Sequence, residues 1–140
     1  MKCALIMAGG CGTRLYPLST LECPKQFVKM FENKTLIQLT YERLSKFFEK
    51  ENIFIVLPEK YKHFIEELLP EVNNENIIIE PSQRSTAPCV LYSCLYISKV
   101  KPNSTLFVFP SDHYIKDEDK YIKEIEEKLT KLNIVLKNNP

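Results

Sequence analysis

Apolar residues fall in short blocks separated by polar, proline-marked breaks, and the spacing within the blocks alternates between two kinds. Cys3–Met7, Ile53–Leu57, Ile77–Ile79 and Thr105–Phe109 are brief, nearly continuous apolar runs. Runs of this length predict strands buried on both faces. Pro58 stops the second and Pro110 the fourth, since proline cannot donate to a ladder. Between the runs the period lengthens. Ile37, Tyr41, Leu44 and Phe48 recur at helical spacing, with Thr35 placed to cap, so a helix is predicted from Thr35 to about Phe48. Tyr61, Phe64, Ile65, Leu68 and Leu69 mark a second helix, ended by Pro70. The stretch from Ala87 to about Val100 is apolar on most faces, which predicts a well-buried helix. Ile122, Ile125, Leu129 and Leu132 mark an amphipathic fourth, with Asp117 near its start.

Strands and helices thus alternate along the chain. That order predicts an α/β fold with a Rossmann-like, mostly parallel sheet and helices on both faces. Ligands of such sheets bind at the carboxyl ends of the strands. Three polar segments, Gly9–Arg14, Ser82–Thr86 and Ser111–His113, each follow a predicted strand, so all three should share one rim.

Composition narrows the functional classes. A chain of 140 residues, 44% hydrophobic and 26% charged, is one globular domain with a real core. A net charge of +1 supplies no bulk attraction to nucleic acid or to a membrane. The apolar runs are too short to span a bilayer, and the N-terminus lacks the layout of a signal peptide. Five cysteines with no C-x-x-C spacing and only two histidines argue against zinc. Free thiols in a reducing cytoplasm are the economical expectation.

The chain owns three glycines, and all lie between Gly9 and Gly12. Glycine admits positive φ and lets a ligand approach the backbone, and successive N–H groups in such a loop form an anion nest. The spacing matches neither a Walker A loop nor G-x-G-x-x-G, because Leu15 stands where the last glycine of the latter would be. The loop runs on into Thr13 and Arg14, and a guanidinium beside a nest offers a fork for phosphate oxygens. Cys11 within it reads as a small filler or a reactive thiol. Lys25, beside Pro24, would be an ordinary surface lysine in isolation. Together with Arg14 on the same rim it forms a two-point clamp for a triphosphate.

Two later loops add candidates. In Glu80–Pro88 a strand runs into Gln83, Arg84, Ser85 and Thr86 and then a helix. Ser85 or Thr86 can cap that helix and Pro88 suits its first turn. The clustered donors and acceptors also suit a nucleobase edge or a ribose. Asp112, after Pro110 and Ser111, is either a solvated turn residue or a carboxylate for Mg²⁺, which takes one or two carboxylates and fills its other positions with water and phosphate oxygens. His113 reads as a packing or hydrogen-bonding residue.

These pieces, in this order, resemble the sugar-1-phosphate nucleotidylyltransferases, whose signature runs G-G-x-G-T-R-L and then P-K. Gly9–Ser19, Pro24–Phe27, Glu80–Pro88 and Pro110–His113 resemble most the branch that makes GDP-mannose, with departures at Tyr16, Thr20 and Ser85. The resemblance covers about residues 3 to 115. It implies the nucleotide-diphospho-sugar transferase type of fold and a reaction of GTP with mannose 1-phosphate, assisted by Mg²⁺. It implies catalytic roles for Arg14 and Lys25. Nucleotide contacts would come from Ala8, Gly9, Gly10, Gly12, Thr13, Gln83, Arg84, Ser85, Thr86 and Ser111, and the metal would sit on Asp112. Residues 1–140 would be the nucleotide-binding part, because the family's G-Y-G-Y-like and E-K-P-like sugar-pocket segments and its second metal-binding Asp do not occur here. Three readings stay open: a transferase completed by a partner chain or a homo-oligomer, a GTP-binding fragment without turnover, and a relative using another nucleotide and sugar phosphate.

Overall fold

The computed structural model describes residues 1–138; the side chains of Thr13 and of residues 132–138, and hence the predicted packing position Leu132, lie outside that description. Its central sheet holds four strands, β1 (Lys2–Met7), β4 (Ile53–Leu57), β5 (Ile77–Ile79) and β6 (Thr105–Pro110), in the order β5-β4-β1-β6 and all parallel. The four apolar runs become these strands because each can be covered on both sides. All five residues of β4 are buried, and Cys3 to Ile6 of β1 are fully so. In register, Leu5 pairs with Phe54 on one flank and Val108 on the other.

The helices divide unequally between the two faces. Helices α1 (Leu36–Leu44), α2 (Lys62–Leu68) and α4 (Glu118–Asn138) cover one face. There Ile37, Tyr41, Leu44, Ile65 and Leu69 pack with Ala4, Ile6, Ile53, Ile55 and Leu57, and Ile125 of α4 joins them. Helix α3 (Thr86–Val100) covers the other face, placing Cys89 and Ile97 against Cys3, Leu5, Phe54, Val56 and Ile78. The chain steps from β1 to β4 to β5 and then returns to the far side of β1 as β6. The segments leaving β1 and β6 therefore diverge, and the crevice between them is where such a sheet receives a ligand.

Local chemistry explains the helix ends. Thr35 caps α1 in a capping box: its side chain accepts from the Gln38 N–H, while the Gln38 side chain accepts from the Thr35 N–H at 2.9 Å. Asp117 caps α4, accepting from the Lys120 N–H at 3.0 Å.

Three expectations change. Helix α1 ends at Leu44, short of Phe48, where the Tyr41 carbonyl accepts from both the Ser45 N–H at 2.9 Å and the Ser45 hydroxyl at 2.8 Å, the back-bonding by which serine weakens a helix. Phe48 stays in the core through the tight turn that follows. The expected deep burial of α3 is overturned. Only Cys89, Ser93 and Ile97, one residue per turn, are buried, while Leu91, Tyr92, Leu95 and Val100 are exposed, because α3 meets the sheet along a single narrow stripe. A hairpin of β2 (Lys29–Phe31) and β3 (Lys34–Thr35) is present that the sequence pattern does not predict. It turns through Glu32 and Asn33, with φ of 48° and 66°, a two-residue turn that places both residues in the left-handed region.

Among the described residues no helix is long and apolar enough to cross a membrane. Thr35→Ala removes half of the capping box and should lower stability by about 0.5–2 kcal/mol, read as a lower urea midpoint with an unchanged m-value.

Candidate nucleotide cleft

The segment after β1 is shaped by what lies beneath it. Gly12 has φ of +34°, and a Cβ there would meet Lys25 Cγ at 2.9 Å and the Lys25 backbone nitrogen at 3.0 Å. Its glycine is therefore required twice, by conformation and by contact. A Cβ on Gly9 would sit 3.3 Å from Glu80 Oε2 and 3.4 Å from Pro58 Cδ, whereas Gly10 meets nothing within 4 Å. The loop thus lies tightly against its supports at Gly9 and Gly12 and is open at Gly10.

Side-chain amides hold the loop's carbonyls. Gln26, 2% exposed, donates from Nε2 to Ala8 O at 3.1 Å and to Gly10 O at 2.9 Å. Gln83 donates to Gly9 O from across the rim. Gln26 is a residue of the site that the sequence candidates leave out. Its signal in the sequence is its place in the Pro24–Phe27 segment beside Lys25, while its burial is a tertiary fact that no local pattern carries.

Two spaces along the rim hold most of the candidates. One, of about 250 Å³, is lined by Met7, Gly9, Gly10, Glu80, Gln83, Ser85, Thr86 and Cys89. The other, of about 300 Å³, is lined by Gly12, Arg14, Lys25 and Asp112. Lys25 Nζ pairs with Asp112 Oδ2 at 2.7 Å, both side chains being partly exposed, and His113 Nε2 stands 3.6 Å from Asp112 Oδ1. The structure therefore brings together Gly9, Gly10, Gln83, Ser85 and Thr86 in one space, and Gly12, Arg14, Lys25 and Asp112 in the other.

Three sequence candidates sit elsewhere. Ala8 is buried and offers only its tied-back carbonyl. Ser111 is buried beneath the rim. Arg84 is exposed and turned to the Ser82 hydroxyl at 3.3 Å. The Thr13 side chain lies outside the described residues. Ser85 holds the N-cap position of α3 without a side-chain cap bond, so the expected cap by Ser85 is not made.

Glu80 is the second residue that sequence reasoning passes over, although it opens the Glu80–Pro88 segment. Its carboxyl lies in the first space, and burial pushes its pKa above the ordinary value, an effect that a hydrogen bond with the Cys89 thiol partly offsets. Burial and the neighbouring carboxylate push the Cys89 thiol up to about 11. Cys89 is thus a protonated donor at neutral pH and not a nucleophile. Cys11 is exposed on the loop, with Sγ 3.9 Å from Gln83 Oε1.

Among the described residues no three His, Cys, Asp or Glu side chains gather as a metal cluster. Asp112 alone fits Mg²⁺ in the mode that takes one protein carboxylate and completes its shell from water and phosphate. One Asp112 oxygen is engaged by Lys25, so such an ion would share or displace that contact.

Sheet order and the loop beyond β1 place the molecule among the doubly wound α/β proteins. Within that class the chain belongs to the nucleotidyl transferase family, whose sequence profile matches residues 3–138. It is 37% identical over 121 residues to the mannose-1-phosphate guanylyltransferase of Escherichia coli K12, a match covering 84% of this chain and 25% of that protein. The Salmonella montevideo enzyme of the same name is 36% identical over 125 residues, covering 88% of this chain and 26% of that protein. The chain therefore spans about a quarter of the length of these relatives. Among solved structures, one from Thermus thermophilus, described as a mannose-1-phosphate geranyltransferase, superposes with a TM-score of 0.78 at 33% identity, covering 90% of this chain and 36% of that one. A Helicobacter pylori structure described as a mannose-6-phosphate isomerase gives 0.69 at 28% identity, covering 93% of this chain and 46% of that one.

Gly12→Ala adds a Cβ against backbone at positive φ. It should destabilise the fold by about 1–3 kcal/mol, measured by chemical denaturation.

Proposed function

We propose that this chain is the nucleotide-binding part of a mannose-1-phosphate guanylyltransferase, seating GTP across the two rim spaces. The observation that carries the reading is the juxtaposition of the glycine loop with Arg14 and Lys25 on one side and Glu80 on the other. The loop and the two cations suit a triphosphate. A carboxylate suits guanine, because the N1–H and N2 amino group present two parallel donors. Adenine, cytosine, thymine and uracil present no such pair to a carboxylate. Gln83, Ser85 and Thr86, which line the same space as Glu80, would contact the base and ribose. The names of the relatives support mannose 1-phosphate as the acceptor.

In the proposed reaction an oxygen of the acceptor phosphate attacks the α-phosphorus of GTP. The new Pα–O bond forms as the bond to the bridging oxygen of the β-phosphate breaks, and pyrophosphate leaves with that electron pair. The attacking oxygen is already ionised, so no general base is needed. Arg14 and Lys25 offset charge on the departing pyrophosphate, and the protein's contribution is chiefly positioning and electrostatic stabilisation. Asp112 would hold Mg²⁺, which when bound neutralises phosphate oxygens.

A second reading, binding without turnover, is favoured by the chain's coverage of a quarter of its relatives' length. Pyrophosphate release on adding GTP and mannose 1-phosphate separates the two: turnover supports the full reaction, and GTP binding without release supports the second reading. Equal binding of UTP and GTP would count against both. Arg14 is exposed and lines the second space. Arg14→Ala should therefore weaken GTP binding by about ten- to a hundredfold through lost charge-assisted bonds while the melting temperature stays unchanged.

Glu80 adds a pH signature. A base that donates to the ionised carboxylate lowers the Glu80 pKa, so binding takes up no proton at neutral pH and is opposed by protonation in acid. Guanosine, which lacks titrating phosphates, should bind progressively less tightly as the pH falls through the raised Glu80 value, above 4.5. Glu80→Gln should flatten that dependence and weaken the preference for guanosine over inosine.

A further inference from the structure

The carbonyl bonds of Gln26 dictate where the loop's N–H groups face. In a trans peptide the N–H points opposite to the carbonyl of the preceding residue. Gln26 Nε2 draws Ala8 O and Gly10 O to the same buried side. The N–H groups of Gly9 and Cys11 belong to those two peptides, so both point the other way, toward the open face of the loop. Gly10 and Cys11 are exposed there. Among the described residues none of the N–H groups from Gly9 to Gly12 donates to a protein acceptor.

We propose that Gln26 is the positioning residue of the phosphate seat: by tying back two carbonyls it aims the Gly9 and Cys11 N–H groups as a paired anion donor. This role rests on the nucleotide reading above and falls to a side chain that touches no ligand. Both amide hydrogens of Gln26 are committed, one to each carbonyl, so no other residue type of that size does the same. Glutamate would set a carboxylate against two carbonyl oxygens, and methionine would fill the space with no donor. Released carbonyls are free to rotate toward the seat, where they repel an anion. Gly12 makes the arrangement possible, since a Cβ there would stand 3.2 Å from Gln26 Oε1.

The test compares three ligands on the unmodified chain, Gln26→Met and Gln26→Glu by calorimetry: GTP, inorganic pyrophosphate and guanosine. Both variants should lose affinity for GTP and pyrophosphate by about ten- to a hundredfold and keep that for guanosine, which carries no phosphate. A variant that loses all three ligands equally, or keeps GTP affinity, overturns the role of Gln26 while leaving the nucleotide reading intact. If the unmodified chain binds no GTP, that reading falls and this one with it. A second measurement needs no variant. In the ¹⁵N-labelled chain, pyrophosphate should move the Gly9 and Cys11 amide protons downfield more than other amides of the loop. Pyrophosphate binding that leaves those two amides unmoved overturns the proposal.

Discussion

Everything on the rim depends on how closely the glycine loop lies upon Lys25 and Gln26. The contact is set at Gly12, where the backbone is left-handed and the space for a Cβ is already taken by Lys25. Because the two segments touch there, Gln26 reaches the loop's carbonyls from below and Lys25 emerges beside Asp112. The segment beneath is itself anchored. Phe27 stacks on Phe64 with centroids 4.5 Å apart, and the Tyr61 hydroxyl donates to Leu21 O at 2.7 Å. Rigid packing on the α2 side of the sheet is thus transmitted, through one stiff turn at Pro24, to the cations on the rim. A site built this way needs few polar residues of its own, because the core fixes their positions.

The sheet is supported unequally. One face carries three helices and a large aromatic and aliphatic core, and Arg43 of α1 lies 5.3 Å from the Tyr121 ring of α4. The other face has α3 alone, and Val108 of β6 and Leu91 and Leu95 of α3 are left exposed. The cleft sits where these halves meet. Its loop and cations are held by the heavily packed face, whereas Ser85 and Thr86 ride on the start of the lightly packed helix. Residues of a cleft divided in this way differ in how firmly they are placed. Fewer buried apolar contacts mean lower local stability, so the wall carried by α3 is the more adaptable of the two.

How much of this is legible in the sequence depends on range. The strands are readable because Ile53–Leu57 and its counterparts are apolar throughout, and the sheet's parallel order follows from their alternation with helices. The cap at Thr35 is local and equally plain. The depth of α3 is not, because an apolar helix does not reveal how wide a surface it will meet. Leu91 and Leu95 look like core residues, but they lie on the side of the helix opposite the Cys89, Ser93 and Ile97 stripe and face away from the sheet. The β2–β3 turn escapes notice because Glu32-Asn33 lacks the glycine that usually announces left-handed backbone. At the site, Gly12, Arg14, Lys25 and Asp112 are legible as types suited to phosphate and metal. Gln26 and Glu80 fall within segments that carry the family resemblance, but what each does there is not legible, because each owes its place to burial created by other segments of the chain.

The Lys25–Asp112 pair shows why such a site can be both ordered and available. Each partner is a quarter to a third exposed, so water screens the pair and its net contribution to stability is small, on the order of 0–1 kcal/mol. Yet the contact of 2.7 Å holds both charges at fixed positions on the rim. In the proposed function a phosphate competes for Lys25 and a cation competes for Asp112. Neither exchange costs much alone, but removing one partner leaves the other charge uncompensated. A ligand that brings phosphate and cation together satisfies both groups at once, whereas either one separately satisfies one and strands the other. In the proposed function the pair would thus favour a metal-bound nucleotide over either component alone, by a small margin because water screens both charges.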